Sequence, residues 1–501
     1  MAQKGTFSKT KLIRGFWPGS QPLENSMRTL LVVALVVFLG WLDLCSRQAK
    51  AMRAPLIYPI DRNDFTNPSQ FTFLGSVLKD VEVVSLGESI HMTHEFPLVR
   101  LGVVRYLNEN LGFHVLVIEG SAPDVWVAQD RLLRSARTAQ DAQQALDGFF
   151  GLWNTSEMQK LIKYDAESWQ SSHPLYIAGY DVQLGNGRGS QGLDVFEQLL
   201  DRLMAYATPP KGFDPAQWMH NIEPIVAKYQ VEDRASVEAA IQTLEQWISR
   251  AAPEIEKRYP DVPHASALRL LPINLRAALQ FRDDLAKPNS QGYQGLRDIN
   301  AAGYVLQLKN AVAGQKIMLW AHISHLHNDS DQGTAAVGGI LQRSLGPRLY
   351  TIASFAESGG AILIFPSGSN EDIGYGRVHG ERGDLGQRLS GLSKQDYFLD
   401  LRSLPAGPSA DSVFWTQQPL WVEAGQSRLI ITRQFDGIVW IKSVHAPDLT
   451  PFVLVVSIIH YRRALILIGI SVALIIVLVL LYLFVRWRRR RHKPVAASVL
   501  A

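Results

Sequence analysis

The clearest hydrophobic pattern along the chain is a strand, helix, strand unit within residues 83–119. Two short, largely β-branched apolar runs, 83–86 and 115–118, flank a stretch in which apolar residues recur every three to four positions until Gly112. That spacing predicts a helix closed by a glycine, and the flanking runs are typical of strands covered on both faces of a parallel sheet. The unit therefore predicts an α/β fold with a mostly parallel central sheet flanked by helices.

The strand pattern returns later, after a long region of a different kind. Residues 191–312 read as helical segments with breaks, which predicts a largely helical insertion into the α/β core. Short apolar runs predict further strands at 175–183, 316–329, 349–355, 361–365, 396–404 and 437–444. We therefore expect residues 52–450 to form a single α/β domain that includes this insertion.

Both ends of the chain carry an uncharged apolar stretch. Residues 29–42 follow several lysines and arginines and are typical of a signal anchor or a signal peptide in the segment 1–51. Residues 464–485 hold 22 positions without a charge, which predicts a transmembrane helix, and the basic tail 486–501 predicts its cytoplasmic end. We therefore expect the chain to bind the lipid bilayer of a cell membrane, with residues 52–450 on the extracytoplasmic side, periplasmic or outer.

Composition excludes several classes of function. The formal net charge is only +4, and much of the positive excess lies in the tail, so no nucleic-acid surface is predicted. The single cysteine, Cys45, excludes an internal disulfide framework and a cysteine-based zinc site. Residues 187–192 match the glycine spacing of a dinucleotide loop, but no acidic residue ends a strand about 20 residues later, so we predict no bound cofactor.

The candidate chemistry lies where the predicted strands end. Glu88, Glu119, Asp181 and His322 each end one of them, and His91 follows directly after the first. The carboxyl ends of parallel strands meet at one edge of a sheet, so we expect these side chains around one crevice. A histidine beside carboxylates, with a second imidazole nearby, has the groups needed to activate water and to stabilise charge at a carbonyl.

The sequence also bears on three other kinds of site, namely a serine nucleophile, a metal centre and a non-catalytic binding pocket. The chain contains neither G-x-S-x-G nor H-E-x-x-H, so a serine nucleophile of the usual α/β type and a zinc-protease helix are both unsupported. A metal-dependent hydrolase that uses His322 and His325 is an open alternative, because histidines with Glu119 or Asp181 nearby can supply ligands. A non-catalytic binding protein of the cell envelope is a third interpretation.

Five motifs resemble those of the erythromycin esterase family, in the same order. They are GESIH with Glu88 and His91 followed by Glu95-Phe96, GFHVLVIEG with Glu119, GYDVQ with Asp181, the pair Arg297-Asp298, and WAHISH with His322 and His325. The agreement in order and spacing covers about residues 70–445.

The resemblance implies a metal-independent esterase whose partner is a small-molecule ester or lactone. It implies that His91 acts as a general base on water, that Glu88 and Glu119 orient or tune it, and that Arg100 and His322 bind or polarise the carbonyl. The further residues that the resemblance places at the substrate are Asp181, Arg297, Asp298 and His325.

The chain departs from the family pattern beside its motifs. Met92 and His94 follow the first histidine, Ile323 and Ser324 separate the paired histidines, and Ala301 follows the Arg-Asp pair. In the family these positions line or support the pocket. The resemblance therefore implies ester hydrolysis and does not imply macrolides as the substrate.

Overall fold

The computed structural model describes residues 32–41, 56–135, 138–146, 148–187, 189–227, 231–285, 292–312, 314–328, 336–367, 370–378, 384–405, 412–423, 425–448 and 472–484. The chain divides into two units, Met1–Pro55 and Leu56–Ala501. Residues 32–41 are helical in the first unit, and residues 472–484 are helical in the second. None of the helices among these residues is both long enough and apolar enough to cross a bilayer. The remaining residues of the predicted segments 29–42 and 464–485 lie outside the described ranges.

A single large sheet organises the second unit. The strands of the described residues, numbered in chain order, are β1 Ile57–Ile60, β2 Val83–Glu88, β3 Phe113–Ser121, β4 Tyr176–Asp181, β5 Lys316–His322, β6 Leu349–Ala356, β7 Gly359–Ser367, β8 Asn370–Val378, β9 Asp396–Asp400, β10 Gln418–Val422, β11 Gly425–Leu429 and β12 Gly437–Ile441. Eight of them form the sheet, in the order β1-β9-β12-β6-β2-β5-β3-β4. The run from β12 to β4 is parallel throughout, and β9 is antiparallel to both of its neighbours. The predicted mixed α/β fold with a mostly parallel sheet is confirmed.

Helices cover the sheet and fill the region between β4 and β5. The α-helices, numbered in chain order, are α1 Leu74–Val77, α2 Glu95–Leu111, α3 Ala122–Arg134, α4 Ala139–Leu146, α5 Ser156–Ser168, α6 Asp194–Met204, α7 Pro215–Val226, α8 Arg234–Arg258, α9 His264–Leu285, α10 Gly292–Ala311, α11 Ile323–Leu326, α12 Val337–Leu345, α13 Asp384–Leu392 and α14 Ile431–Gln434. Helices α6 to α10 fall within the stretch predicted to be helical.

The sheet is buried on both faces. Successive residues of a strand point to opposite sides. Accordingly, Val115 and Val117 of β3 pack into one hydrophobic cluster, shared with the helices between β4 and β5, and Leu116 and Ile118 pack into another, shared with α2. Both faces need apolar residues, which explains why the strand reads as a continuous apolar run and not as an alternating one.

Helix α2 begins and ends close to its predicted limits. Its carboxyl end is capped by Gly112, which has a φ of 74°. This left-handed conformation is accessible to glycine at little steric cost, so the residue both ends the helix and turns the chain into β3. The predicted strand, helix, strand unit of residues 83–119 is thereby confirmed.

Two of the later predicted strands differ from the prediction, one in its pairing and the other in its length. Residues 361–365 lie in β7, which forms a two-stranded hairpin with β8, separate from the eight-stranded sheet. An apolar run alone does not distinguish a central strand from a covered hairpin, which is why periodicity missed this. The strand predicted at 396–404 ends at Asp400, because the Asp400 side chain accepts a hydrogen bond from the Arg402 backbone and starts a 3-10 turn.

Candidate active site

The parallel register brings the predicted strand ends together. Strands β2 and β5 pair so that Glu88 lies directly opposite His322, and β3 and β4 continue the sheet with Glu119 and Asp181 near their carboxyl ends. All four side chains are buried. The carboxyl edge of the sheet therefore brings together the acids and the imidazole that the sequence indicated.

His91 is held by a carboxylate at the end of β2. Its Nδ1 atom lies 3.1 Å from Glu88 Oε1, and the other oxygen of Glu88 accepts a short hydrogen bond from Arg100. Arg100 is only 2% exposed, and its guanidinium lies 3.8 Å from the centroid of the Trp320 ring. The Nδ1 proton of His91 is thus directed at a carboxylate whose charge is balanced by a buried arginine.

Gly87 leaves room for a neighbouring helix and does not form a turn. It lies within β2 and is not among the glycines with a positive φ. A Cβ at this position would come within 2.8 Å of the Ile323 side chain. The absence of a side chain therefore lets α11, which begins at Ile323, pack against the end of β2.

Burial determines the protonation state of His91. The side chain packs edge-on against Trp153, with the ring centroids 5.3 Å apart, and burial lowers the pKa of His91 to about 4. The charge of Glu119 raises the pKa of His91, but this effect is smaller than the lowering caused by the loss of hydration. His91 is therefore a neutral imidazole at pH 7, the form that accepts a proton.

His322 is a second neutral imidazole with an assigned tautomer. The Ser324 backbone N–H donates to its Nδ1 atom over 3.3 Å, which leaves the ring proton on Nε2. That Nε2 atom lies 3.3 Å from the Ser89 carbonyl oxygen. Burial lowers the pKa of His322 well below its usual value, and the proximity of His91 lowers it further. The Nε2–H group is thus available as a neutral donor.

Arg297 joins the remaining predicted residues into one ionic network. Its Nε atom donates to Asp181 over 3.0 Å, its Nη2 atom donates to Glu119 over 2.9 Å, and its Nη1 atom lies 3.2 Å from His325 Nε2. On the other side of its ring, His325 Nδ1 lies 2.7 Å from Asp298. The Arg-Asp pair that opens a helical stretch in the sequence therefore ties β3, β4 and α11 together.

The charges in this network set two pKa values. Burial alone would favour the protonated form of Glu119, but His325 and Arg297 outweigh it and hold the pKa of the Glu119 carboxyl below its ordinary range. Burial likewise opposes a charge on His325, and the carboxylates of Glu119 and Asp298 reverse this and raise its pKa. Glu119 is therefore a carboxylate, and its Oε2 atom accepts a hydrogen bond of 3.0 Å from the backbone N–H of His322.

One residue of the site was not indicated by the sequence. Glu423 lies at the turn between β10 and β11, and its Oε1 atom accepts a 2.8 Å hydrogen bond from the His91 backbone N–H and lies 3.5 Å from His322 Nε2. Its stretch of sequence has no strand-end motif, and the only signal is that of a hairpin turn before Gly425. A contact between a hairpin tip and a strand end depends on packing that local patterns do not encode.

Possible metal ligands are grouped differently from the predicted set. His325 points into the Arg297 network, so it does not form a cluster with His322. In the described ranges, one set of ligand atoms within 4.8 Å of each other comes from His91, His322 and Glu423. A second set comes from His94, Glu157 and Asp448. His94 is partly buried, and its Nδ1 atom lies 2.6 Å from Glu157 Oε1.

Known proteins similar to this chain carry related descriptions. Residues 108–444 match the sequence model of the erythromycin esterase family, a stretch that begins after Glu88 and His91. The Bacillus subtilis protein YbfO, provisionally named a hydrolase, is 20% identical over 424 residues, which make up 79% of this chain and 90% of YbfO. An Escherichia coli protein named erythromycin esterase type II is 21% identical over 371 residues, which make up 68% of this chain and 85% of that protein.

The fold is also similar to that of a solved structure. A structure of the erythromycin esterase EreC in its open conformation has a TM-score of 0.50 and 17% sequence identity, and the match covers 76% of this chain and 95% of that one. At this identity the similarity concerns the fold alone.

Proposed function

The chain belongs to the erythromycin esterase family, and from this premise we propose that it is a hydrolase that cleaves an ester or lactone with a water molecule activated by His91. The observation that carries the proposal is the largely buried, neutral His91 with its Nδ1 atom held by Glu88. Its other ring nitrogen, Nε2, has no hydrogen-bond partner among the described residues. That nitrogen is the atom left to accept a proton from water.

Each of the neighbouring groups has a task in this reaction. Glu88 keeps the Nδ1 tautomer of His91, and Arg100 balances the charge of Glu88 from within the core. Because the donors of Arg100 are directed at Glu88 and at backbone carbonyl oxygens, we assign it the positioning of Glu88 and not contact with substrate. His322 donates its Nε2–H to the carbonyl oxygen of the substrate. Glu119 holds the backbone of His322 by accepting a hydrogen bond from its N–H group.

The proposed reaction proceeds in two steps. His91 Nε2 takes a proton from water while the water oxygen forms a bond to the carbonyl carbon, and the resulting oxyanion is stabilised by His322. The tetrahedral intermediate then collapses, the bond between the carbon and the leaving oxygen breaks, and the proton on His91 passes to that oxygen. The products are an alcohol and a carboxylic acid, or one hydroxy acid from a lactone.

A panel of substrates tests this proposal. The full-length protein is assayed against short-chain esters, lactones and macrolides, with and without a chelator, beside His91→Ala and His220→Ala. His220 is an exposed histidine on α7 and serves as the matched control. We expect chelator-insensitive hydrolysis of at least one ester or lactone, reduced by about 10²- to 10⁴-fold in His91→Ala and unchanged in His220→Ala. Equal activity in His91→Ala and the natural protein would refute the role of His91.

The cluster of His91, His322 and Glu423 favours a second candidate function, a metal-dependent hydrolase. Two imidazoles and a carboxylate with an open fourth position are a common ligand set for a catalytic zinc ion. Metal analysis of protein purified without chelators separates the two candidates. One equivalent of metal that is lost in Glu423→Ala, together with chelator-sensitive activity, would replace the water-activating histidine by a metal-bound water.

The chain ends support a further part of the proposal, attachment to a membrane. Residues 464–485 are apolar and uncharged, and the arginines that follow favour a cytoplasmic end. We propose that they anchor an extracytoplasmic domain. The natural protein should resist carbonate extraction from membranes, and external protease should reach the domain. A variant that ends at residue 463 should be released if residues 1–51 are a cleaved signal peptide and retained if they are a signal anchor. A natural protein recovered wholly in the soluble fraction would contradict the anchor.

A further inference from the structure

The tip of a distant hairpin places a carboxylate inside the active site. The β10–β11 hairpin turns at Glu423, which is one of two non-glycine residues with a positive φ in the described ranges, at 51°. Such a left-handed conformation is uncommon for a residue with a side chain and persists only where the surroundings impose it. We therefore expect the contacts of Glu423 to hold this backbone conformation.

Three N–H groups surround this carboxylate, and two of them donate hydrogen bonds to it. The Oε1 atom of Glu423 accepts from the His91 backbone N–H at 2.8 Å and lies 3.5 Å from the Nε2 atom of His322. The Oε2 atom accepts from the Ile364 backbone N–H at 3.2 Å. Two of the three donors are backbone groups held by β7 and by the end of β2, so they do not depend on flexible side chains.

The donor set matches the chemistry of the proposed reaction. A backbone N–H that donates to an oxygen, with an imidazole N–H close to the same oxygen, provides the groups that stabilise an oxyanion in acyl transfer. The third donor, on Ile364, adds a place for the second oxygen of a carboxylate. An ester hydrolase forms both species in turn, because the oxyanion of the intermediate becomes one oxygen of the carboxylate product.

We propose that His91 N–H, Ile364 N–H and His322 Nε2–H form a binding site for the oxyanion and for the carboxylate of the product, and that Glu423 occupies this site in the present structure. The inference rests on the proposed ester hydrolysis and deepens it. Glu423 acts as an internal competitor, and the hairpin turn withdraws when an acyl group enters.

A second contact of the same turn links it to His322 through a shared carbonyl oxygen. The Glu423 backbone N–H donates to the Ser89 carbonyl oxygen over 2.8 Å, and the same oxygen faces His322 Nε2 at 3.3 Å. One carbonyl oxygen thus holds both the turn and the imidazole. When the turn leaves, the substrate oxygen takes the place of Glu423 Oε1, and the Nε2–H of His322 is shared between this oxygen and the Ser89 oxygen.

Acetate is a suitable probe, because it presents the carboxylate without the rest of a substrate. Its binding to the full-length protein is measured by titration calorimetry in the presence of a chelator, for the natural protein, Glu423→Ala, Glu423→Gln and Ser427→Ala. Ser427 lies on the same hairpin with an exposed side chain and serves as the matched control. Thermal unfolding of each variant shows whether the fold is retained.

We expect Glu423→Ala to bind acetate at least about tenfold more tightly than the natural protein, because an internal competitor that occupies the site most of the time reduces apparent affinity by the free fraction. The Glu423→Gln variant, whose uncharged side chain competes less well, should fall between the two, and Ser427→Ala should match the natural protein. Adding His322→Ala to Glu423→Ala should abolish the gain. Where an ester is turned over, its KM should fall in Glu423→Ala.

Two results would separate this inference from the proposed function. Equal acetate affinity in the natural protein and in a folded Glu423→Ala variant would overturn the carboxylate site, even if esters are hydrolysed. A gain in acetate affinity without hydrolysis of any ester would support the carboxylate site while contradicting the proposed reaction. A fall in kcat with unchanged KM and unchanged acetate binding would instead make Glu423 a positioning residue and would also overturn the inference.

Discussion

The imidazole ring of His91 lies 4.5 Å from that of His322, centroid to centroid, with the two ring planes tilted by 30°. Their proximity follows from the pairing of β2 with β5, which places Glu88 opposite His322 and leaves His91 just beyond the strand end. Both rings are buried and both have lowered pKa values, so a proton on either one is unfavourable at pH 7. The pair can therefore accept one proton during a reaction without already carrying a charge.

The first prediction concerns the pH dependence of activity. Burial lowers the pKa of His91 to about 4, whereas an exposed histidine titrates near 6.5. The neutral base should persist as the pH falls through 6.5, so kcat/KM should decline only as the pH approaches the pKa of His91. A pH profile of kcat/KM for any hydrolysed ester measures this. An acidic limb near 6.5 in protein that is still folded would show that His91 is not desolvated as described.

The same shift predicts how stability depends on pH. Between about pH 6.5 and 4 the unfolded chain protonates this histidine while the folded protein does not, so the unfolded state binds more protons there. The contribution of His91 is therefore fully present above pH 6.5 and decreases as the pH falls through that window. Chemical unfolding at several pH values, compared between the natural protein and a folded His91→Gln variant, should show a steeper loss of stability for the natural protein.

The third prediction concerns the buried partner of Glu88. Replacing Arg100 by methionine leaves the Glu88 carboxylate uncompensated in the core, so we expect a loss of about 3–5 kcal/mol of stability and a reduced kcat. Arg105 lies five residues further along α2 and forms a partly exposed ion pair with Glu109. The Arg105→Met variant should therefore lose about 1 kcal/mol of stability or less. Denaturant unfolding and kinetics of the two variants test the difference. Equal destabilisation would argue against a buried charge pair at Arg100.

The fourth prediction contrasts two other arginines. Arg297 is buried between Asp181, Glu119 and His325, and Arg297→Met should destabilise the fold by about 3–5 kcal/mol, because it leaves several carboxylates without their cation. Arg276→Met removes a cation with two carboxylate partners on the surface, where such pairs contribute about 0–1 kcal/mol. Unfolding midpoints in urea measure both. Comparable midpoints would mean that the Arg297 network is hydrated.

The fifth prediction contrasts two glycines. A Cβ at Gly179 in β4 would lie 2.7 Å from the Gly120 carbonyl oxygen, so Gly179→Ala should displace the ends of β3 and β4 and cost about 1–3 kcal/mol. Gly303 lies within α10, and a Cβ there would meet nothing within 4 Å. Gly303→Ala should stabilise the protein by about 0.5–1 kcal/mol through its higher helix propensity. Thermal melting of the two variants should therefore shift in opposite directions, and a shift in the same direction would contradict this packing.

Local patterns in the sequence were sufficient for much of the fold. The apolar runs of β2 and β3, the helix between them and the glycine at its end follow from interactions among near neighbours in the chain. The rule that parallel strands end at one edge of a sheet is enough to group Glu88, Glu119, Asp181 and His322 there. The pairing of residues 361–365 with β8 could not be predicted in this way, because an apolar run does not specify its partner strand.

The sequence by itself therefore determined the type of fold, the edge of the sheet that carries the chemistry and the residues of the strand ends. Only the tertiary structure decided which of them touch: His91 with Glu88 and His322, and His325 with the Arg297 network. It also brought Glu423 into the site from a hairpin far along the chain. The physical reason is that side-chain contacts between distant segments depend on packing, burial and register summed over the whole domain, whereas periodicity and capping depend on a few neighbouring residues.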